Sequence, residues 1–327
     1  MKALVLDRPG EPKTLRLANI PDPQPAPDQV RVQVHAVGLN PVDYKLAASG
    51  FSRWTYPFIL GLDVSGTVEA YGSNVTNWKV GDAVYYHGDL SKPGGYAEYT
   101  VVPAHVLTPV PTNVSFTEAA ALPCAGFTAY QALYRKLHIQ AHQTILIHGG
   151  AGGVGGFAVQ LAALSGLYVI ATCSPSNFNY VRRLGAAEVL DYNTKDLVSR
   201  VQELSQGRGV DFIVDTVSSE TASAGLDMLA FGGGIACING LPDFTKIKPF
   251  EKAPSIHEVA LGAAYLSGDR TAQEDLARMG RELGALVSDR KVDSMLQEVI
   301  NLEKIPDALV RLSERHVRGK IVAQIQL

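Results

Sequence analysis

The segment His148-Gly149-Gly150-Ala151-Gly152-Gly153-Val154-Gly155 follows the apolar run Ile145-Leu146-Ile147 and sets glycines at 150, 152 and 155, the spacing GxGxxG. Each glycine has a use where backbone must approach a pyrophosphate. One makes the tight turn, the next leaves room for the phosphates, and the third lets helix pack on strand. Val154, Phe157, Ala158, Leu161 and Ala162 then recur on one helical face. Gly153, Val154 and Gly155 therefore open a helix whose free N–H groups and positive dipole suit an anion. The spacing alone is a weak signal, but a strand before it and an amphipathic helix after it are the context a dinucleotide site requires.

The next strand selects among dinucleotides. It ends Ala171-Thr172-Cys173-Ser174-Pro175-Ser176-Asn177, with no carboxylate to hold ribose hydroxyls. Thr172, Ser174 and Ser176 can donate hydrogen bonds to a 2′-phosphate that a carboxylate would repel, so NADP(H) is favoured. Arg182 and Arg183 follow closely and read as solvated helix charges.

A second candidate group surrounds a short helix. Asn40 suits an N-cap and Pro41 the first helical position, leading through Val42-Asp43-Tyr44-Lys45-Leu46-Ala47-Ala48 to Gly50. Tyr44 and Lys45 are the best donors for an oxygen that gains negative charge, while Asp43 is read as ordering the helix start. The eight histidines suggest no ligand cluster; His148 is read as packing. No Gly-x-Ser-x-Gly is present. Cys124, Cys173 and Cys237 are widely spaced, so neither a disulfide framework nor a CxxC pair can be read, and a reducing cytoplasm is expected.

These groups need rigid supports. The first ~110 residues read as strands and turns around the run Pro21-Asp22-Pro23-Gln24-Pro25-Ala26-Pro27, an extended connection, with Val30, Val32 and Val34 alternating against Arg31, Gln33 and His35. Ser115 and Glu118 have capping-box spacing. After residue 124, strands at 144–148, 168–172, 188–190, 210–217 and 235–239 alternate with helices at 154–165, 179–184, 196–205 and 220–230. That rhythm predicts a doubly wound parallel sheet. A further strand is expected at 255–265, a helix at 270–286, and a last strand at 319–326 that rejoins the first domain.

At 327 residues and 46% apolar composition, the chain suits two globular domains. A net charge of −3 argues against nucleic-acid or anionic-membrane partners. No charged residue occurs from Ile139 to Val181, yet Gly149-Gly150, Gly152-Gly153 and several polar residues interrupt that stretch, so it reads as buried core rather than a membrane span. Ala3 to Leu6 is too short for a signal-peptide core.

With these features in view, the chain resembles the medium-chain dehydrogenase/reductase superfamily, in its zinc-free quinone oxidoreductase-like branch. The resemblance rests on the glycine turn and on four further runs: Gly38-Leu39-Asn40-Pro41-Val42-Asp43, Gly61-Leu62-Asp63-Val64-Ser65-Gly66, Leu122-Pro123-Cys124-Ala125-Gly126-Phe127-Thr128 and Arg318-Gly319-Lys320-Ile321-Val322. It implies an α/β fold: a GroES-like β-rich catalytic domain from residues 1–121 and 266–327, with a Rossmann domain at 122–265. Zinc-dependent relatives have Cys at Asn40 and His-Glu at Leu62-Asp63, so no metal is expected, and Cys124 is expected to pack. The resemblance also implies that Asn40 and Thr128 lie near the nicotinamide. Tyr192 and Arg315 would help hold the 2′-phosphate, and Thr216, Val217, Asn239 and Gly240 would contact cofactor.

The function expected is NADPH-dependent hydride transfer to a small quinone or α,β-unsaturated carbonyl, by a cytoplasmic homodimer. Competing readings are a non-catalytic NADPH-binding, crystallin-like or RNA-associated protein, and an atypical alcohol dehydrogenase.

Overall fold

The computed structural model describes residues 1–194 and 196–325. Lys2–Val5 (β1) and Arg16–Asn19 (β2) form an antiparallel ladder. Gln29–Gly38 (β3) then begins a larger sheet, and the expected alternation is present: Val30, Val32 and Val34 are buried, while Arg31, Gln33 and His35 stay half-buried. Helix α1 (Pro41–Ser49) follows, closed by Gly50 at φ 69, a conformation that glycine adopts without steric cost. Asp63–Tyr71 (β4), Ala83–His87 (β5), Tyr99–Pro103 (β6) and Thr108–Pro109 (β7) continue the sheet. The Ser115/Glu118 capping box starts α2 (Phe116–Ala120), with Ser115 N–H donating to Glu118 Oε2 at 2.9 Å. Pro123–Phe127 forms a π-type turn.

The chain then enters a second unit at α3 (Thr128–Tyr130). Its strands are Thr144–His148 (β8), Tyr168–Cys173 (β9), Glu188–Asp191 (β10), Val210–Asp215 (β11), Leu229–Cys237 (β12) and Ser255–Glu258 (β13). All are parallel, in the order β10-β9-β8-β11-β12-β13. Helices α4 (Gly153–Leu164), α5 (Phe178–Arg183), α6 (Leu197–Leu204) and α7 (Ser219–Gly225) make the crossovers. The return to the first unit adds α8 (Ala263–Leu266), α9 (Arg270–Ser288), β14 (Leu296–Asn301), α10 (Ile305–Ser313) and β15 (Lys320–Gln324). The first unit's sheet has the order β14-β15-β3-β4-β5-β7, with β6 also on β3.

The two units are residues 1–127 with 261–327, and residues 128–260. The boundaries lie inside those expected at 122 and 265, for identifiable reasons. Cys124 N–H donates to Asp63 Oδ1 at 2.8 Å, and the Tyr265 hydroxyl donates to the His87 carbonyl at 2.5 Å. Both flanks are thus bound into the first unit. The helix expected at 220–230 ends its α-helical part at Gly225, because Leu229 and Ala230 already run in β12. The strand expected at 255–265 stops at Glu258, and β14 is an addition. Gln326, the last residue of the expected final strand, lies outside the described residues. The uncharged stretch from Ile139 to Val181 becomes β8, glycine turn, α4 and β9; among the described residues no helix is long and apolar enough to cross a membrane.

Candidate active site

In the second unit the chain runs from β8 outward to β10, then returns to β11 and proceeds the other way to β13. The strand order therefore reverses between β8 and β11, and ligands of such sheets bind at the carboxyl ends beside that switch. The glycine turn stands there. Gly149 has φ 76, and a Cβ on Gly155 would come within 2.2 Å of the Gly149 carbonyl oxygen, so the fold itself demands that glycine. Gly152 differs: a Cβ there would meet only Gly149 O, at 3.5 Å. It would instead fill the space in front of the helix. The first bond within α4 runs from Gly156 N–H to Gly152 O, so the N–H groups of Gly153, Val154 and Gly155 precede the ladder and suit a pyrophosphate.

The other strand ends tie into this turn. Gly149 N–H donates to Thr172 Oγ1 at 3.3 Å, and Thr216 Oγ1 donates to the His148 carbonyl at 2.8 Å. Asn239 Nδ2 donates to the Val217 carbonyl at 2.6 Å, and Gly240 follows at φ 137. His148 is buried, as expected of a packing residue, and lies opposite Asp215 in the β8–β11 register; its Nε2 and Asp215 Oδ2 have no partner among the described residues. Burial lowers the imidazole pKa and the Asp215 charge opposes that shift.

At the end of β9, Ser174 and Ser176 hydroxyls lie 3.2 Å apart, and Asn177 Nδ2 donates to Ser174 Oγ at 3.0 Å. Arg182 is exposed, as expected of a solvated helix charge, and sits over the Phe178 ring, 5.8 Å from its centroid. Burial and then Asp191 push the Cys173 thiol at the strand end up to about 11, with Arg182 opposing. Asp191 closes the neighbouring strand and pairs with Cys173 in register, which sets a carboxylate beside the end of β9. Tyr192 is exposed beside it, and Thr128 is buried at the start of the unit.

In the first unit the chemistry-bearing residues gather around Asn40. Its Nδ2 donates to Asp63 Oδ2 at 2.8 Å, and its Oδ1 accepts from Lys320 Nζ at 2.5 Å. Lys320 also donates to the Leu39 carbonyl and lies 3.6 Å from Asp63. Asn40 is therefore held by two buried charges, in place of the zinc-binding cysteine of metal-dependent relatives. Asp43 accepts from Asn40 N–H at 2.8 Å, as expected of a residue that orders the helix start. Burial pushes its carboxyl up to about 7, opposed by that N–H and assisted by the Asp63 charge. The Tyr96 phenol beside Asp43 is itself raised, by burial first.

Tyr44 is half-buried on α1. Lys45 lies on its outward side, where partial withdrawal of the ammonium from water and then the charge of Arg315 lower its pKa. Arg315 thus belongs to the first unit, beside Lys45. Asp43 also lines a small apolar pocket with Leu46, Trp54, Phe58 and Leu62, in which Trp54 stacks on Phe58 at 4.0 Å. A larger groove of about 700 Å³ lies along β14 and contains none of these groups.

Cys124 packs beside two polar groups. Its Sγ, a carboxylate oxygen of Asp63 and a ring nitrogen of His87 lie within 4.8 Å of one another. His87 and Lys320 were invisible as site residues in the sequence; the β4–β5 pairing of Asp63 with His87 and the return of β15 bring them in.

The family pattern described as "Alcohol dehydrogenase GroES-like domain" matches residues 26–112, and "Zinc-binding dehydrogenase" matches residues 153–282. The quinone oxidoreductase of Sus scrofa is 32% identical over 293 residues, 88% of each chain. A trans-enoyl reductase of Pyricularia oryzae is 36% identical over 260 residues, 74% of this chain and 71% of that one. The structure of the quinone oxidoreductase from Coxiella burnetii matches with TM-score 0.88 at 31% identity, over 100% of this chain and 99% of the other. The chain belongs to the medium-chain dehydrogenase/reductase superfamily, in its quinone oxidoreductase-like branch. It is an oxidoreductase of a family that binds a nicotinamide cofactor, and its units are the GroES-like and Rossmann folds of that family.

Proposed function

We propose that the chain is an NADPH-dependent reductase that delivers hydride to a quinone or to the β-carbon of an α,β-unsaturated carbonyl, without a metal. The observation that carries this reading is the end of β9, where Ser174, Ser176 and Asn177 offer hydrogen-bond donors and the strand itself ends without a carboxylate. A 2′-phosphate is stabilised by such a set. The glycine turn suits the pyrophosphate, with Gly152 clearing space and Gly153 to Gly155 supplying N–H groups, while Gly150 lets the turn pack against Ala171 and Val181; Tyr192 stands beside the strand end. When bound, the nicotinamide supplies the hydride.

The two acceptor classes are those that two similar proteins are named for, a quinone oxidoreductase and a trans-enoyl reductase. On the first unit, Tyr44 and Lys45 are the proposed donors to the oxygen that gains charge, Lys45 aided by its lowered pKa. Asn40 serves them by fixing the start of α1. Asn40 and Leu62 offer no thiolate or imidazole, and the ammonium of Lys320 stands against Asp63, so the residues present do not fit a zinc ion. Three free cysteines suit a reducing compartment, which we take to be the cytoplasm. The outer strand β13 leaves an edge on which a second copy would pair to give a homodimer.

NADPH and NADH are titrated into the purified protein by nicotinamide fluorescence, and phenanthrenequinone and a simple enone are then added. Rapid loss of NADPH absorbance, with little loss of NADH, is expected. Binding without turnover of either acceptor would overturn the catalytic reading.

A further inference from the structure

At the switch point one row of side chains crosses the sheet in register: Thr172 on β9, His148 on β8, Asp215 on β11 and Cys237 on β12. Residues paired in a parallel sheet project from the same face, and here all four are buried. Thr172 Oγ1 accepts from Gly149 N–H and lies 3.3 Å from His148 Nδ1. Asp215 Oδ1 accepts from the N–H groups of Val217 and Ser218 at 2.8 and 3.1 Å. Two polar atoms of the row are left over, His148 Nε2 and Asp215 Oδ2, both buried and both without a partner among the described residues. No step proposed above uses either residue.

These bonds leave one consistent proton arrangement. Thr172 accepts from Gly149, so its own hydrogen is free for His148 Nδ1, and the proton of the neutral ring then sits on Nε2. Strand β8 lies between β9 and β11, so a ring bonded to β9 through Nδ1 has its Nε2 for the Asp215 side. Among the described residues, Asp215 carries the one charge that bears on the ring. Cys237 and, one strand further, Glu258 lie beyond that carboxylate. Helix α4 has no ionisable side chain, while Arg200 and Glu203 of α6 and Glu220 of α7 are exposed. His148 is only 3% exposed, so a ligand bound nearby has little water left to remove from it. Negative charge held at the glycine turn, which begins one residue on at Gly149, therefore favours the imidazolium with little opposing cost.

We propose that His148 is a positioning residue of the dinucleotide site: the chain Thr172–His148–Asp215 ties the glycine turn to the 216–218 loop, and the phosphates are bound together with one proton that His148 takes from solvent. Thr216 donates to the His148 carbonyl and Asn239 to the Val217 carbonyl, so the same network holds both sides of the site. Burial keeps the ring of the free protein below the usual histidine range, with Asp215 opposing. Bound phosphate raises it, and between the two values the complex carries one proton more than the free protein. Affinity for the dinucleotide accordingly rises as pH falls through that window. The inference rests on nicotinamide dinucleotide binding and is independent of the hydride acceptor.

NADPH is titrated by nicotinamide fluorescence into wild type, His148→Gln and Asp215→Asn from about pH 6 to about pH 8. Gln keeps a donor for Asp215 but takes up no proton, and titration of the ligand's own 2′-phosphate is common to all three proteins and cancels in their ratios. The affinity of wild type relative to His148→Gln is expected to grow about fivefold or more from the upper to the lower pH, within the limit of about tenfold per pH unit for one proton. For Asp215→Asn, which lacks the charge that favours the imidazolium, the same ratio is expected to grow less. Calorimetry of wild type with NADH at about pH 6, in two buffers of different ionisation enthalpy, is expected to show net proton uptake and needs no variant. A wild-type to His148→Gln ratio that stays constant with pH would overturn the inference, as would calorimetry showing no uptake. If His148→Gln does not fold, the calorimetry decides. Failure of wild type to bind either dinucleotide would remove the cofactor reading as well, whereas binding without proton uptake removes this inference alone.

Discussion

Lys320 and Asp63 lie 3.6 Å apart with side chains 3% and 0% exposed, and Asn40 joins them by accepting from one and donating to the other. Breaking a buried pair by removing one partner leaves the other charge uncompensated. Lys320→Met and Asp63→Asn are each expected to cost about 3 to 5 kcal/mol in urea unfolding. The double variant is expected to cost clearly less than the two together. Strict additivity would show that the residues do not interact.

Asp43 gives a pH dependence of definite sign. Its carboxyl keeps its proton up to about pH 7 in the folded chain, against 3.8 for the free group. Between those values the folded state binds the extra proton, so this group's contribution to stability falls as pH rises, by up to about 4 kcal/mol. Asp43→Asn keeps an acceptor for Asn40 N–H but has no proton to lose. Its stability relative to wild type should therefore improve steadily from about pH 4 to about pH 7 and level off above. A difference that stays constant across that range would rule out a buried, protonated Asp43.

Two glycines of one turn should respond differently. Gly152→Ala finds open space and should unfold within about 0.5 kcal/mol of wild type. It should nevertheless weaken nicotinamide dinucleotide binding by roughly tenfold or more, because the new methyl occupies the pyrophosphate's approach. Gly155→Ala meets Gly149 O at 2.2 Å and should destabilise the unit even without ligand. Thermal unfolding and fluorescence titration separate the two effects. Equal losses of stability would refute the distinction.

Arg182→Ala and Ser174→Ala should raise the NADPH dissociation constant several-fold and leave that of NADH nearly unchanged. Salt should narrow the gap for wild type more than for Arg182→Ala. Equal weakening of both dinucleotides would remove Arg182 from the 2′-phosphate site.

What the sequence disclosed follows the range of each interaction. The glycine turn and the Ser115/Glu118 cap are built from residues a few positions apart, so spacing alone carries their chemistry. Asn40 was legible as a helix start for the same reason. Its partners Asp63 and Lys320 were not, because they meet it only through the β3–β4 pairing and the return of β15. His87 joins Cys124 by a register that no local pattern encodes. The helix expected at 220–230 ran too far because Leu229 and Ala230 suit a helix face as well as a strand, and sheet pairing decides between them.

The antiparallel pairing of Val322 with Gly38 has a consequence for how the protein is made. During translation, residues 128–260 leave the ribosome as one uninterrupted stretch whose parallel sheet needs nothing from later residues. The amino-terminal segment must wait, with one side of β3 near Gly38 unpaired and Asp63 lacking its counter-charge, until the final strand is synthesised. A nascent chain that stalls or is cleaved just before Lys320 therefore carries a finished nucleotide-binding half and an uncapped sheet, the form most exposed to chaperones and proteases.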